Sequence, residues 1–177
     1  TTILTLLRLS RLPLKDPKTF ESFDFSIIKG RDANRLKTLP SLSAIYAHRN
    51  LAFIGPPGVG KTTLSRIVAQ SLGREFFTLS AVSAGVKDVR EVIDRARSNS
   101  LFAGGMAPIL FIDEIHTIMG AATTEGNLDV ANMLKPFLAR NDIKLIGATT
   151  LDEYHKSILN DKALCRRFQP IFVSEPT

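Results

Sequence analysis

The segment GPPGVGKTT, residues 55–63, constrains the fold of this chain more than any other stretch. It begins with the pattern G-x-x-x-x-G-K-[ST], whose glycines let the backbone turn tightly and direct N–H groups toward phosphate oxygens. An apolar run, LAFI, precedes it and a helix-patterned stretch follows, which is the context that this motif requires. An ordinary glycine turn is the alternative, and this context argues against it. The sequence therefore predicts a phosphate-binding loop between a strand and a helix.

The loop predicts a bound nucleotide and a metal ion. The predicted phosphate-binding residues are Gly55, Pro56, Pro57, Gly58, Val59, Gly60, Lys61, Thr62 and Thr63. Lys61 would reach the terminal phosphates, and the Thr62 hydroxyl would bind Mg²⁺. No N-K-x-D motif for guanine follows the predicted fourth strand, which favours ATP or ADP over a guanine nucleotide.

Two acidic residues end a second apolar run, ILFIDE at residues 109–114. The carboxyl ends of strands in open α/β sheets form the edge where ligands bind. Asp113 is predicted to hold Mg²⁺ through water, and Glu114 to polarise the attacking water as general base. A strand that merely ends in solvated acids is the alternative, and the nearby phosphate loop makes it the weaker one.

Two further segments carry candidate catalytic residues. In KLIGATT, residues 144–150, a polar residue that ends a buried strand could contact the γ-phosphate or the lytic water. Thr150 is the first candidate for this role and Thr149 the second. In CRRF, residues 165–168, Arg166 and Arg167 form a surface salt bridge or, alternatively, supply an arginine finger to a neighbouring subunit.

Short apolar runs alternate with helix-patterned segments, which is typical of a parallel sheet with helices on both faces. The predicted strands are residues 51–55, 75–80, 109–113, 144–149 and 171–174. Helical spacing of apolar residues predicts two helices, with Leu64, Ile67, Val68 and Leu72 on one face of the first and Val86, Val89, Ile93 and Ala96 on one face of the second. The apolar pattern of residues 128–138 predicts a helix with a kink at Pro136. Residues 163–168 are predicted to form the end of another helix.

Residues 1–49 differ from the predicted core at residues 50–177. We expect a helix and an extended arm there, because Phe20, Phe23 and Phe25 alternate as on a strand. These aromatics would pack the arm on the core, or one of them would line an adenine pocket. The basic stretch at residues 8–18 leads to an alternative function, a DNA-associated helper whose binding weakens with salt.

Composition sets wider limits on function. The net charge of +6 suits a triphosphate site and allows nucleic acid without implying it. Cys165 is the single cysteine and cannot form an internal disulfide, so we expect a cytoplasmic protein. The apolar run near the start is too short to span a bilayer, and we expect no membrane partner.

The phosphate loop, the acidic pair, Thr150 and the paired arginines follow one another as in the AAA+ ATPases, a family that essentially the whole chain resembles. The resemblance implies a three-layer α/β/α P-loop NTPase fold, the large AAA+ subdomain, with a parallel five-stranded sheet of order 5-1-4-3-2. It also implies hydrolysis of Mg·ATP to ADP and phosphate. Arg166 or Arg167 would then act between the subunits of a homo-oligomer.

Three parts of the chain resemble different branches of that family. Residues 8–64 are similar to the IstB/DnaC-type helper ATPases, residues 72–97 to the RarA and Werner-helicase-interacting group, and residues 108–177 to the first ATPase domain of Clp-type disaggregases. This mosaic indicates a recombined or designed chain or, alternatively, a further branch of the family. The sequence stops soon after the fifth predicted strand, so we expect the family's helical lid to be absent and turnover to be slow.

Two departures from the family pattern argue against its contacts between subunits. The family's acid before the paired arginines is Cys165 here, and its EYR reads EYH at His155. Cys165 and the expected absence of the lid favour an alternative function, a nucleotide-binding scaffold that folds and binds but barely turns over.

Overall fold

A computed structural model describes residues 19–23, 25, 34, 37–47, 49–81, 85–102, 106–119 and 125–174. Five parallel strands form one sheet in the order β2-β3-β4-β1-β5. The strands are β1 (Asn50–Ile54), β2 (Phe76–Ser80), β3 (Ile109–Asp113), β4 (Lys144–Thr149) and β5 (Phe168–Phe172). This is the predicted order, 5-1-4-3-2, counted from the other edge. The carboxyl ends of β1, β3 and β4 therefore lie side by side.

Helices connect the strands. The α-helices are α1 (Ser43–Tyr46), α2 (Lys61–Ser71), α3 (Val86–Phe102), α4 (Glu125–Arg140), α5 (Leu151–Glu153) and α6 (Lys162–Arg167). Leu39–Ser41 and Ile115–Thr117 form 3₁₀ turns, and Tyr154–Ile158 forms a π-helical turn. No helix in the described ranges is long and apolar enough to cross a bilayer.

Two hydrophobic clusters, one on each face of the sheet, make the fold three-layered. Successive side chains of a strand point to opposite faces. Leu51 and Phe53 of β1 accordingly join the cluster that contains α2, whereas Ala52 and Ile54 join the cluster that contains α3 and α4. Every residue of β1 is buried, as expected for a strand with helices on both sides. The three-layer α/β/α prediction is confirmed.

The predicted faces of the first two long helices face the sheet. In α2, Leu64, Ile67 and Val68 are buried, and Leu72 packs half-buried beyond its end. In α3, Val89 and Ile93 are buried and Val86 packs against the same cluster. The side chain of Ala96 lies outside the described part of the chain.

The last strand differs from the prediction. β5 spans Phe168–Phe172 instead of residues 171–174, and α6 ends at Arg167 instead of at Phe168. The sequence pattern does not indicate a strand at Gln169 and Pro170, because proline cannot donate a hydrogen bond to a sheet. β5 pairs with β1 alone and lies at the edge of the sheet, where Pro170 is tolerated.

Pro136 lies inside α4, which runs on to Arg140. Proline removes one backbone hydrogen bond and crowds the carbonyl four residues earlier, here that of Asn132. Pro136 and Asn132 are both exposed, so this loss falls on the solvent side of the helix.

The aromatic residues before the core pack against it. Phe20 is buried, and Phe23 and Phe25 are half-buried against the α2-side cluster, which also contains Val59 of the phosphate loop. Residues 19–23 form a turn in which the Phe23 N–H donates to the Thr19 carbonyl at 3.0 Å, instead of the extended strand that the alternation predicts. The basic residues Arg8, Arg11, Lys15 and Lys18 lie outside the described residues.

Candidate functional site

The phosphate loop leaves the carboxyl end of β1 and enters α2. Gly58 and Gly60 have φ values of +83° and +90°, in the left-handed region that disfavours side chains. The Gly55 N–H donates to the carbonyl of Thr149 at 3.0 Å, which ties the start of the loop to the end of β4. The positive φ values of its glycines and the hydrogen bond to the neighbouring strand therefore both fix the conformation of the loop.

Gly55 is required by close packing. It is not among the glycines with positive φ. A Cβ atom at this position would overlap the backbone carbonyl oxygen of Val173, just past β5. The Val173 N–H donates to the Ile54 carbonyl at 2.7 Å, which holds the two segments together. The predicted tight-turn role of this glycine is thus replaced by a close backbone approach.

Lys61 lies at the base of the loop and is 8% exposed. Its Nζ donates hydrogen bonds to the carbonyl of Gly55 and, at 2.7 Å, to that of Pro56. Burial lowers the pKa of Lys61, and the carboxylates of Asp113 and Glu114 oppose this shift. The lysine therefore lies within the electrostatic field of the acidic pair.

The first turn of α2 opens onto the loop. Gly60 is its N-cap residue, and no side chain caps the helix there. Unpaired N–H groups and the positive end of the helix dipole make such a terminus a favourable place for phosphate. Thr62 is exposed in this turn and Thr63 is half-buried. The hydroxyl of Thr62 is thus accessible to a ligand of the loop.

The acidic pair follows β3 directly. Asp113 is the last residue of the strand, and its Oδ1 accepts the N–H of Glu114 at 3.2 Å. Glu114 has φ +55° and ψ +45°, a left-handed conformation that costs of order 1–3 kcal/mol for a residue other than glycine. Its side chain is 40% exposed. The strained backbone turns the chain sharply out of the strand at the candidate general base.

Ile115 anchors this sharp turn. It is fully buried against Gly147 of β4, and a Cβ atom on Gly147 would lie only 2.5 Å from Ile115 Cδ1 and 2.8 Å from Cγ2. Gly147 pairs with Ile112 in the β3–β4 register. Because Gly147 has no side chain, there is space for Ile115 to pack on β4, and this fixes the turn after Glu114.

His116 joins the acidic pair to the end of β4. Its Nδ1 is hydrogen-bonded to Thr149 Oγ1 at 2.9 Å and lies 3.6 Å from Glu114 Oε2. Its Nε2 lies 4.0 Å from Glu153 Oε2. Sequence reasoning did not find this contact, because residues 116 and 149 are far apart in the chain. The sequence feature that could have indicated this contact is a histidine two residues after the candidate general base.

Thr149 and Thr150 have different surroundings. Thr149 is fully buried and contacts His116. Thr150 is half-buried and is the N-cap of α5, where its Oγ1 accepts the Glu153 N–H at 3.4 Å. The end of β4 thus presents Thr150 near the surface and keeps Thr149 inside.

The paired arginines lie at the end of α6, before β5. Arg166 and Arg167 are exposed, and Arg166 Nε donates to the Lys162 carbonyl at 3.3 Å. Neither forms an ion pair with a carboxylate in the described part of the chain. The surface salt bridge is therefore not seen among the described residues. Cys165 is half-buried beside them.

The residues near the loop suit a magnesium ion. Mg²⁺ prefers hard oxygen ligands and keeps several waters, so one hydroxyl and one carboxylate suffice beside phosphate oxygens. Thr62 offers an exposed hydroxyl in the first turn of α2, and Asp113 offers a half-buried carboxylate at the end of β3. Clusters of three or more histidine, cysteine or acidic side chains are absent from the described residues.

Comparison with known proteins agrees with this arrangement. The family model described as "ATPase family associated with various cellular activities (AAA)" matches residues 51–175. The chain is 43% identical over 162 residues to the chaperone protein ClpB of Chlamydia pneumoniae, which covers 84% of this chain and 19% of that protein. It is 46% identical over 162 residues to ClpB of Lactococcus lactis subsp. cremoris, with 84% and 19% covered.

The chain spans about a fifth of the length of these relatives, 19% in both cases. The similarity to ClpB covers 84% of the chain. It therefore extends well beyond residues 108–177, the part that resembles the Clp-type disaggregases in the sequence analysis. The mosaic of branches stays a prediction. The family model covers more than half of the chain and includes the acidic pair, Thr150 and the paired arginines. The chain therefore belongs to the AAA family of ATPases.

Proposed function

We propose that this chain binds Mg·ATP at the phosphate loop and hydrolyses it to ADP and phosphate. Lys61 neutralises the terminal phosphates, and the loop N–H groups hold their oxygens. Thr62 and Asp113 would hold the metal, which would neutralise charge on the phosphates. Glu114 accepts a proton from the attacking water, and Thr150 orients that water.

One observation carries this proposal: β4 lies between β1 and β3, and the Gly55 N–H of the loop donates to the Thr149 carbonyl at the end of β4 at 3.0 Å, so the loop and the acidic pair flank the same strand end. The loop and the acidic pair thus meet at one edge of the sheet, where a triphosphate would lie between them. Membership of an ATPase family supports the same chemistry. A nucleotide with a terminal phosphate at Lys61 would present that phosphate to Glu114.

Variants at Lys61 and Glu114 separate binding from turnover. We expect Lys61→Ala to abolish binding of a fluorescent ATP analogue, because the buried ammonium that faces the phosphates is lost. We expect Glu114→Gln to bind normally and to release phosphate about 10²- to 10⁴-fold more slowly. Removal of Mg²⁺ with a chelator should stop phosphate release from the unmodified chain.

Lys87→Ala is the matched control, because Lys87 is an exposed lysine on α3, the helix after β2, and β2 lies three places from β1 in the sheet. It should leave both binding and turnover unchanged. Unchanged phosphate release from Glu114→Gln would remove Glu114 from the mechanism.

The alternative is a nucleotide-binding scaffold with little turnover. Cys165 favours it, because the acid that the family places before its arginines is replaced by a half-buried thiol. The two functions differ in phosphate release per chain over a protein-concentration series. A rate that rises with concentration supports arginines that act between subunits of a homo-oligomer, and a flat near-zero rate with intact binding supports the scaffold.

The relatives named ClpB are chaperones, and this chain matches 19% of their length. We propose for this chain only the ATPase step that such a segment could contribute.

A further inference from the structure

We propose that His116 is a positioning residue that holds the Glu114 carboxylate in place by linking it to Thr149. The inference rests on the proposed ATP hydrolysis and concerns how its general base is oriented. It starts from the shared environment of one ring nitrogen. His116 Nδ1 is hydrogen-bonded to Thr149 Oγ1 at 2.9 Å and lies 3.6 Å from Glu114 Oε2.

The Glu114 carboxylate needs such support. Its side chain is 40% exposed, and no described residue donates a hydrogen bond to its carboxylate oxygens. A carboxylate free to rotate spends little time aligned with the attacking water, and a misplacement of about 1 Å can cost roughly 10²-fold in rate. The imidazole of His116 is the polar group beside it, so a fixed imidazole restricts where the carboxylate lies.

Thr149 supplies the fixed point for His116. It is fully buried in β4, and its carbonyl accepts the Gly55 N–H at 3.0 Å. One residue therefore contacts the phosphate loop through its backbone and His116 through its side chain. The path from the loop to the general base runs through Gly55, Thr149 and His116, and each step is a hydrogen bond or a close polar contact.

The backbone places His116 so that it can act in this way. Ile115, the residue before it, is buried against Gly147 and fixes the 3₁₀ turn on β4. The His116 side chain is itself 15% exposed. Its second nitrogen lies 4.0 Å from Glu153 Oε2, beyond hydrogen-bonding distance. The turn and Thr149 thus place the imidazole so that its Nδ1 faces Glu114.

A buried histidine that only stabilises the fold is the competing explanation, and asparagine and glutamine at position 116 distinguish the two. Asparagine presents its amide near the position of Nδ1, where it can donate to or accept from Thr149. Glutamine presents its amide near the position of Nε2, toward Glu153. We expect kcat of His116→Asn within about 3-fold of the unmodified chain, and kcat of His116→Gln and His116→Ala roughly 10- to 100-fold lower. Affinity for a fluorescent ATP analogue should stay unchanged in all three.

Two further variants test the path. Thr149→Val keeps the shape of the side chain but removes the hydroxyl, so it should lower kcat as His116→Ala does, and Thr149→Ser should restore it. In single-turnover experiments, Glu114→Gln/His116→Ala should be no slower than Glu114→Gln alone, because His116 acts through Glu114. His155→Ala, at an exposed histidine of the π-helical turn, is the control and should leave kcat unchanged.

The outcomes separate this inference from the proposed function. Absence of phosphate release from the unmodified chain overturns both. If the unmodified chain releases phosphate and His116→Gln, with unchanged thermal unfolding, releases it at the same rate, only the positioning role is overturned. The positioning role is also overturned if His116→Ala slows the Glu114→Gln background further, or if asparagine and glutamine have equal effects.

Discussion

At the residue scale, Gly55 shows that a motif glycine can be required by a contact far along the chain. The motif explains it by a tight turn, yet its φ is not among the positive values and a Cβ would overlap the Val173 carbonyl oxygen. The sequence located the residue, and the tertiary contact explains it. A backbone oxygen cannot rotate aside as a side chain can.

We therefore predict that Gly55→Ala lowers the free energy of unfolding by about 1–3 kcal/mol through overpacking and also weakens nucleotide binding. Urea unfolding and titration with a fluorescent ATP analogue measure the two effects. Gly73→Ala is the control, since Gly73 has φ +61° with open space around it and lies beyond α2. It should lose about 1–2 kcal/mol by backbone strain and keep binding. Full stability of Gly55→Ala would contradict the close approach.

A second prediction at this scale concerns Gly147. Its replacement by alanine should displace Ile115 and lower the free energy of unfolding by about 1–3 kcal/mol. Ile115→Val alone should cost about 0.5–1.5 kcal/mol. The double variant should lose less than the sum of the two, because valine lacks the Cδ1 atom that lies 2.5 Å from the added methyl. Additive losses in urea unfolding would show that the two side chains do not compete for space.

At the scale of elements, α4 and β5 each contain a proline. The helix predicted at residues 128–138 is confirmed, because α4 runs from Glu125 to Arg140 with Pro136 inside it, and the kink at Pro136 stays a prediction. Pro170 argues against a strand, yet it lies within β5, at the edge of the sheet. Pro136 is exposed on α4, and β5 pairs with β1 alone among the described strands, so each proline lies where a missing N–H is tolerated.

The position of Pro136 predicts that Pro136→Ala stabilises the chain. Proline in a helix interior is about 3 kcal/mol less favourable than alanine, and Pro136 is exposed, so no packing is lost. We expect a gain of about 1–3 kcal/mol in the free energy of unfolding, measured with urea. Phosphate release should stay unchanged, because α4 packs on the opposite face of the sheet from α2, the helix that follows the loop. A loss of stability would mean that the helix is shaped around its proline.

At the scale of the whole molecule, the exposed Arg166 and Arg167 bear on assembly. If they complete the site of a neighbouring copy, Arg166→Ala/Arg167→Ala should lower phosphate release on the order of 10³-fold while nucleotide binding persists. Mixing this variant with Lys61→Ala should then restore release above the sum of the separate rates, because each supplies what the other lacks. Arg95→Ala, at an exposed arginine paired with Glu91 on α3, is the control. A mixture no faster than its components would argue against action between subunits.

The sequence by itself determined the parts of this protein whose evidence is local. The loop with Lys61 and Thr62, the acids that end β3 and the apolar faces of α2 and α3 each follow from spacing within a short segment. The strand order came from family resemblance, and the sheet confirms it. Roles for Thr150, Arg166 and Arg167 stay predictions.

The tertiary structure alone decided the contacts between residues far apart in sequence. Three such contacts connect segments that belong to or directly follow different strands. They are the packing of Ile115 on Gly147, the hydrogen bond between His116 and Thr149, and the approach of Val173 to Gly55. No periodicity carries these contacts, because they depend on which strands are neighbours and in what register. For the same reason β5 begins at Phe168, the partner of Asn50, and not where its apolar pattern starts.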